Sequence, residues 1–211
     1  MPCRTRIHTR LALLMLVLLA AAACGRIPGQ PQYATIDARY TDLSGKTVAV
    51  MVAADPFIER RHPQARENIM GAVARSIVSE VDGARVVNPR DLLQYQEDNP
   101  TWTTVTPSTL IEALKVDRLI LIDLAEYRTS EPGDRTTKRG TITGAVSVYE
   151  AEATDPDEMA LNVPVSVQYP RETQTKIGRF NASDESIELA TVKEFTLRAG
   201  GVFFEHQIEV D

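Results

Sequence analysis

Two runs, Thr47-Val-Ala-Val-Met-Val52 and Arg118-Leu-Ile-Leu-Ile-Asp-Leu-Ala125, constrain the fold more than any other feature of the chain. Both are almost continuously apolar, which suits strands covered on both faces. Between them, Pro63 opens a predicted helix to Val81, with Ile69, Val73, Ile77 and Val81 in strict i,i+4 steps that make one apolar stripe. Asp82-Gly83 ends it, and Ala84 to Val87 reads as a short strand. Asn88-Pro89 and Thr106-Pro107 each place a capping side chain before a proline at the first helical position. They predict a short helix through Leu92 and Leu93 and another carrying Leu110, Ile111 and Leu114. Helices between successive strands imply parallel pairing through crossovers.

The second half changes character. Thr141 to Ala151 alternates, with Ile142, Gly144, Val146 and Val148 on one side and Ala145, Ser147 and Tyr149 on the other, as in a half-exposed antiparallel strand. The preceding stretch Thr129 to Lys138 reads as a polar hairpin loop. Val163, Val165, Val167 and Tyr169 alternate again, but Pro164 and Pro170 demote that run to an edge strand. Ser183 or Asp184 caps a final predicted helix reaching Phe204, with Val192, Phe195, Ala199, Val202 and Phe203 on one face and Gly200-Gly201 weakening its end. The expected fold class is α/β, with α+β character in the second half: a mixed sheet of about five strands with helices packed on it.

The N-terminal residues set the compartment. Arg4, Arg6 and Arg10 precede an apolar run from Leu11 to Ala23, the profile of a signal peptide. Thirteen helical residues span about 20 Å, short of the ~30 Å hydrocarbon core of a bilayer. The run ends Leu19-Ala-Ala-Ala-Ala-Cys24, which resembles the lipobox of bacterial lipoproteins, although Ala21 stands where that motif usually has Leu. The resemblance implies removal of residues 1–23 and acylation of Cys24. The alternative is a secreted protein cut after Ala23, with Cys24 an incidental thiol. Residues 24–41 begin with a stretch rich in Gly, Pro and Gln and read as a flexible tether, up to about 50 Å if fully extended. Residues 42–211 are read as a single globular domain.

Only two cysteines are present, and Cys3 lies in the removed segment, so the mature chain forms no internal disulfide. Loss of the three arginines moves the formal charge from −6 to −9. An acidic chain without a basic stripe argues against nucleic acid as a partner. Ser44-Gly-Lys-Thr47 ends like a phosphate-binding loop, but Tyr40 replaces the first glycine and a strand follows in place of a helix. His62 and His206 are the histidines of the mature part, too few for a zinc site. His62 is expected at a helix start on the surface, and His206 at a helix end as a cation favoured by the dipole. Asp155-Pro-Asp157 and Glu158 offer oxygens but lack the glycine turn and terminal acid of a calcium loop. No G-x-S-x-G elbow is present. No catalytic, cofactor-binding or metal residue is therefore assigned, and no cofactor is expected.

Lys46-Thr-Val-Ala-Val50 soon after Cys24 and its linker, the helix Pro63 to Val81, Ala84-Arg-Val-Val-Asn88 and Val116-Asp-Arg-Leu-Ile-Leu-Ile122 together resemble the small α/β domains of envelope lipoproteins. These include the curli-secretion lipoproteins, the lipoprotein activators of penicillin-binding proteins and the domain N-terminal to the TolB propeller. The resemblance covers residues 42 to 150. It departs from the curli-secretion family in having too few and too polar alternating strands for a membrane barrel. It implies a non-catalytic accessory or assembly factor, tethered to the outer membrane and facing the periplasm, that binds an envelope protein or polymer. Gly25 after the cysteine, in place of Asp, is what the enterobacterial sorting rule associates with the outer membrane. The alternative is an envelope hydrolase whose site assembles only in three dimensions.

Overall fold

A computed structural model describes residues 32–131, 133–171 and 183–210. Cys24 and the signal segment lie outside the described residues. Strand β1 (Gln32–Ile36), which falls within the expected tether, pairs with β7 (His206–Val210) in a two-stranded sheet. Among the described residues, Gln32–Ala34 and Ile208–Val210 belong to a unit distinct from Thr35–Gln207, and the latter carries the fold.

That fold is α/β, as the patterns predict. A five-stranded mixed sheet has the order β3-β2-β4-β5-β6, with β2 at Thr47–Ala54, β3 at Arg85–Val86, β4 at Arg118–Glu131, β5 at Asp134–Glu150 and β6 at Leu161–Tyr169. β2 runs parallel to β3 and β4, with Val48 opposite Arg118 and Ala54 opposite Leu124. β4, β5 and β6 are mutually antiparallel. Because parallel crossovers are right-handed, the path from β2 out to β3 and the return to β4 lie over opposite faces of the sheet. Val48 to Val52 are accordingly all buried.

The helices are α1 (Pro56–Arg61), α2 (Ala65–Glu80), α3 (Pro89–Asp98), α4 (Pro107–Leu114) and α5 (Asp184–Gly200), with a 3-10 turn at Trp102–Thr104. Asn88 and Thr106 act as the predicted caps, accepting from Arg90 N and Thr109 N. Ile69, Val73 and Ile77 of α2 are fully buried, so the stripe faces the core. α5 packs beside α2 and across β5 and β6. Val163, Val165 and Val167 are buried between exposed neighbours on β6, the outermost strand. Its edge position accommodates Pro164, which has no N–H to donate. Gly200 lets α5 close on α2, since a Cβ there would fall 2.5 Å from Ser76 Oγ.

Several expectations are corrected. The segment Thr129 to Lys138 is mostly strand, because β4 and β5 continue to Glu131 and from Asp134, with Gly133 at positive φ in the turn. α1 was not expected. Asp55, accepting from Phe57 N and Ile58 N, and Pro56 at the first position set it up with the same chemistry as the other two capped helices. The last helix stops at Gly200, where two glycines cost helix stability, and not at Phe204. His206 therefore opens β7, its Nδ1 3.2 Å from the Phe204 carbonyl, and is not a helix-end cation. The Ser44–Thr47 segment is a turn with Gly45 at φ +73° leading into β2, as its rejection as a phosphate loop requires. Asp157 accepts from Ser108 N at the start of α4, which gives it a capping role.

Candidate functional site

The sequence placed His62 on the surface at a helix start. It lies instead at the C-terminal end of α1, where its N–H bonds the Ile58 carbonyl at 2.8 Å, and its side chain is only 11% exposed. Ile58 is buried and anchors α1, so the ring is turned inward. There it lies against Tyr127, the centroids 4.1 Å apart and the planes tilted by 40°.

Tyr127 reaches this position through a break in strand alternation. Ile120, Ile122 and Leu124 of β4 are buried, so strict alternation would bring Glu126 inward next. The register instead shifts between Leu124, opposite Gly144, and Glu126, opposite Thr143. One extra residue in the strand is a β-bulge, which reverses the facing of everything after it. Tyr127 is thereby buried.

Glu188, in the second turn of α5, completes the cluster. Ser183 caps that helix by accepting from Ser186 N, and Asp184 and Glu185 lie in its first turn, where the helix dipole favours negative charge. The Tyr127 hydroxyl donates to Glu188 Oε1 at 2.9 Å, and His62 Nδ1 is 3.2 Å from the same oxygen. The tautomer with the proton on Nδ1 completes the second bond and leaves Nε2 with its lone pair. Burial first, and then the negative charge of Glu188, push the Tyr127 phenol well above its ordinary range, so it remains a donor at any physiological pH.

The cluster borders a cleft of about 680 Å³, whose rim includes Asp55, Phe57, Arg61, Glu126 and Asp184. Arg61 lies over the Phe57 ring at 5.3 Å, and Lys138 ties Asp184 to β5 at 2.5 Å. A carboxylate-oriented imidazole in a cleft is equipped for proton transfer or for binding a polar ligand. Among the described residues, Glu188 is the only hydrogen-bond partner of the His62 ring, and no Ser or Thr hydroxyl reaches it. Nor do three His, Cys, Asp or Glu residues gather there as a group able to hold a metal ion.

A second charged cluster surrounds Arg118, whose side chain has 0% exposure. It donates to both oxygens of Glu152, at 2.5 and 2.7 Å, to Asp42 and to the Asp117 carbonyl at 2.8 Å. Glu150 approaches at 3.9 Å and accepts from the Tyr40 hydroxyl at 2.6 Å, while Lys46 donates to Glu152 at 2.7 Å. Burial alone would lower the Arg118 pKa, but the bonds to Glu152 and Asp42 more than reverse this and fix its charge. The bonds from Arg118 and then Lys46 hold the Glu152 carboxyl far below the usual carboxylate range. Arg118 Nε, buried and 3.9 Å from Glu150, is the one guanidinium nitrogen of this cluster without a hydrogen bond, and the cluster reads as a clasp joining the turn before β2 to the start of β4 and the end of β5.

No family model and no curated protein matches the chain. Solved structures resemble it at low identity. The PelC dodecamer from Paraburkholderia phytofirmans is 8% identical with a TM-score of 0.45, covering 81% of this chain and 97% of that one. The lipoprotein GNA1162 from Neisseria meningitidis is 12% identical with a TM-score of 0.48, covering 72% and 97%. A minor lipoprotein from Acinetobacter baumannii is 7% identical with a TM-score of 0.34, covering 75% and 90%. These are likenesses of outline, and no residue role rests on them.

Proposed function

We propose that the chain is an envelope lipoprotein, acylated on Cys24, whose domain binds an envelope protein or polymer without catalysis. The lipobox-like end of the signal segment supports the anchor. Among the described residues no helix is long and apolar enough to cross a membrane, and acylation of Cys24 would supply the attachment. The observation that carries the binding role is the outer surface of the paired helices. Leu189 and Leu197 of α5 are 71% and 52% exposed and line a groove against α2, while Val78, 59% exposed, lies in a separate groove between α2 and α3. Exposed aliphatic side chains that line grooves, and do not stand alone on a convex surface, support a docking role. Gly25 after the cysteine supports placement in the outer membrane, facing the periplasm.

Cys24→Ala should release the protein from membranes into the soluble fraction. Retention after a salt wash would place the attachment elsewhere. Crosslinking in cells from a photoreactive residue at Leu197 should capture one dominant envelope component, and capture by diffuse collision alone would count against a binding role.

The hydrolase reading is favoured by one observation, the His62–Glu188 pair beside the cleft. In that case His62 Nε2 would take a proton from a water or substrate hydroxyl while Glu188 stabilises the charged ring. The two readings part on His62→Ala. Under the binding role, biological function stays largely intact at normal abundance; loss of function in a folded, normally abundant variant would establish the catalytic alternative.

A further inference from the structure

At the opposite edge of the sheet from β6, one face of α2, the end of β3 and the start of α3 enclose a groove of about 680 Å³. Its apolar floor is made by Val78 of α2, Val86 and Val87 at the end of β3, and Leu93 of α3. Arg75 and Arg90 flank the floor, with Glu67 as the opposing charge on α2. Among the described residues neither guanidinium has a hydrogen bond or ion pair, so both charges are free to meet a ligand. Two unpaired cations beside an aliphatic floor are a local exception on a chain of net charge −6.

We infer that this groove is the docking site for an acidic amphipathic helix of a partner protein. The inference rests on the binding role proposed above and gives it a place and a ligand chemistry. Charge complementarity selects an acidic partner, because Asp or Glu flanking an apolar stripe would meet Arg75 and Arg90. The geometry selects a helix over a strand. β3 contributes only Arg85 and Val86 to the sheet, and Pro89 soon after has no N–H, so a docking strand would find almost no ladder to extend. Two helices flanking a trough instead offer the ridges and groove into which a third helix fits, its anchors spaced i, i+3 and i+4. Gly71 contributes by leaving room, since a Cβ there would lie 3.3 Å from the Arg75 guanidinium that folds back over it.

The test uses the full acylated chain in detergent micelles and a displayed library of helical peptides of random surface charge. The recovered binders should share an apolar i, i+3/i+4 stripe flanked by Asp or Glu. Val78→Asp, and separately Arg75→Glu with Arg90→Glu, should each weaken those peptides by about tenfold or more. Peptides with Lys in place of the flanking acids should regain affinity for the doubly reversed variant. All three positions are at the surface, and unchanged thermal midpoints would confirm that folding is intact. Binders indifferent to Val78→Asp but lost in Leu197→Asp would move docking to the α2–α5 surface, overturning the groove while leaving the binding role in place. Saturable binding of oleate that Val78→Asp abolishes, with no acidic helix recovered, would assign the groove to a lipid and overturn the proposal. Failure to recover any saturable peptide would count against both the groove and a protein partner.

Discussion

The two charged clusters of the domain are built from similar parts and end in opposite states. Around Arg118 a cation is withdrawn from water and surrounded by carboxylates and a carbonyl, so that nearly every donor is used. Around His62 a ring with one hydrogen-bond partner borders an open cleft. The first arrangement has strong electrostatics and nothing to offer a ligand. The second has weaker contacts and an unused nitrogen. The difference teaches that charge density alone is a poor guide to a site, and that unsatisfied capacity facing a cavity is a better one.

The sharpest way to break this comparison is Arg118→Ala, which should cost about 3 kcal/mol in chemical denaturation. That is the lower end of what removing one partner of a buried pair costs, because Asp42 and Glu152 are half exposed and can recover solvation. A loss under about 1 kcal/mol would mean the clasp is dispensable.

Acid should unfasten the same clasp. Glu152 is held below its ordinary value of 4.5, so its contribution to stability is present above that pH and is lost as the pH falls toward its folded value. In Glu152→Gln the decline in stability between pH 6 and pH 3 should be shallower than in the parent chain, and identical slopes would remove Glu152 from the account.

The smallest effect belongs to the cleft. Tyr127→Phe removes one hydroxyl that donates to a carboxylate and should cost about 1–2 kcal/mol. It should also loosen the seating of His62, visible as a change in the chemical shifts of its ring protons. Unchanged shifts would show that Glu188 alone orients the ring.

Much of the fold was legible because it rests on local or short-period signals. The stripe Ile69, Val73 and Ile77, the caps at Asn88 and Thr106, the twice-covered run at Val48 to Val52 and the edge strand around Pro164 each depend on neighbours within a few residues. α1 escaped because six residues are too few to show a period, although Asp55-Pro56 carried the same start signal as the other two helices. The polar stretch beyond Arg128 passed for a loop because a strand without an apolar face has no alternation to read.

The candidate site was hidden for a different reason. His62, Tyr127 and Glu188 come from α1, β4 and α5, and the contact needs a bulge near Ala125 to turn the tyrosine inward. Nothing local in the sequence announces that extra residue. Arg118, at the head of the most apolar strand, gave no sign that its side chain would be buried, because its carboxylate partners lie far along the chain on both sides.

The pairing of β1 with β7 bears on mechanics. With Cys24 acylated as proposed, eight positions separate the anchor from the first paired residue, at most about 30 Å of chain. The C-terminal strand shares that ribbon, so a pull on the anchor is borne first by the hydrogen bonds between β1 and β7.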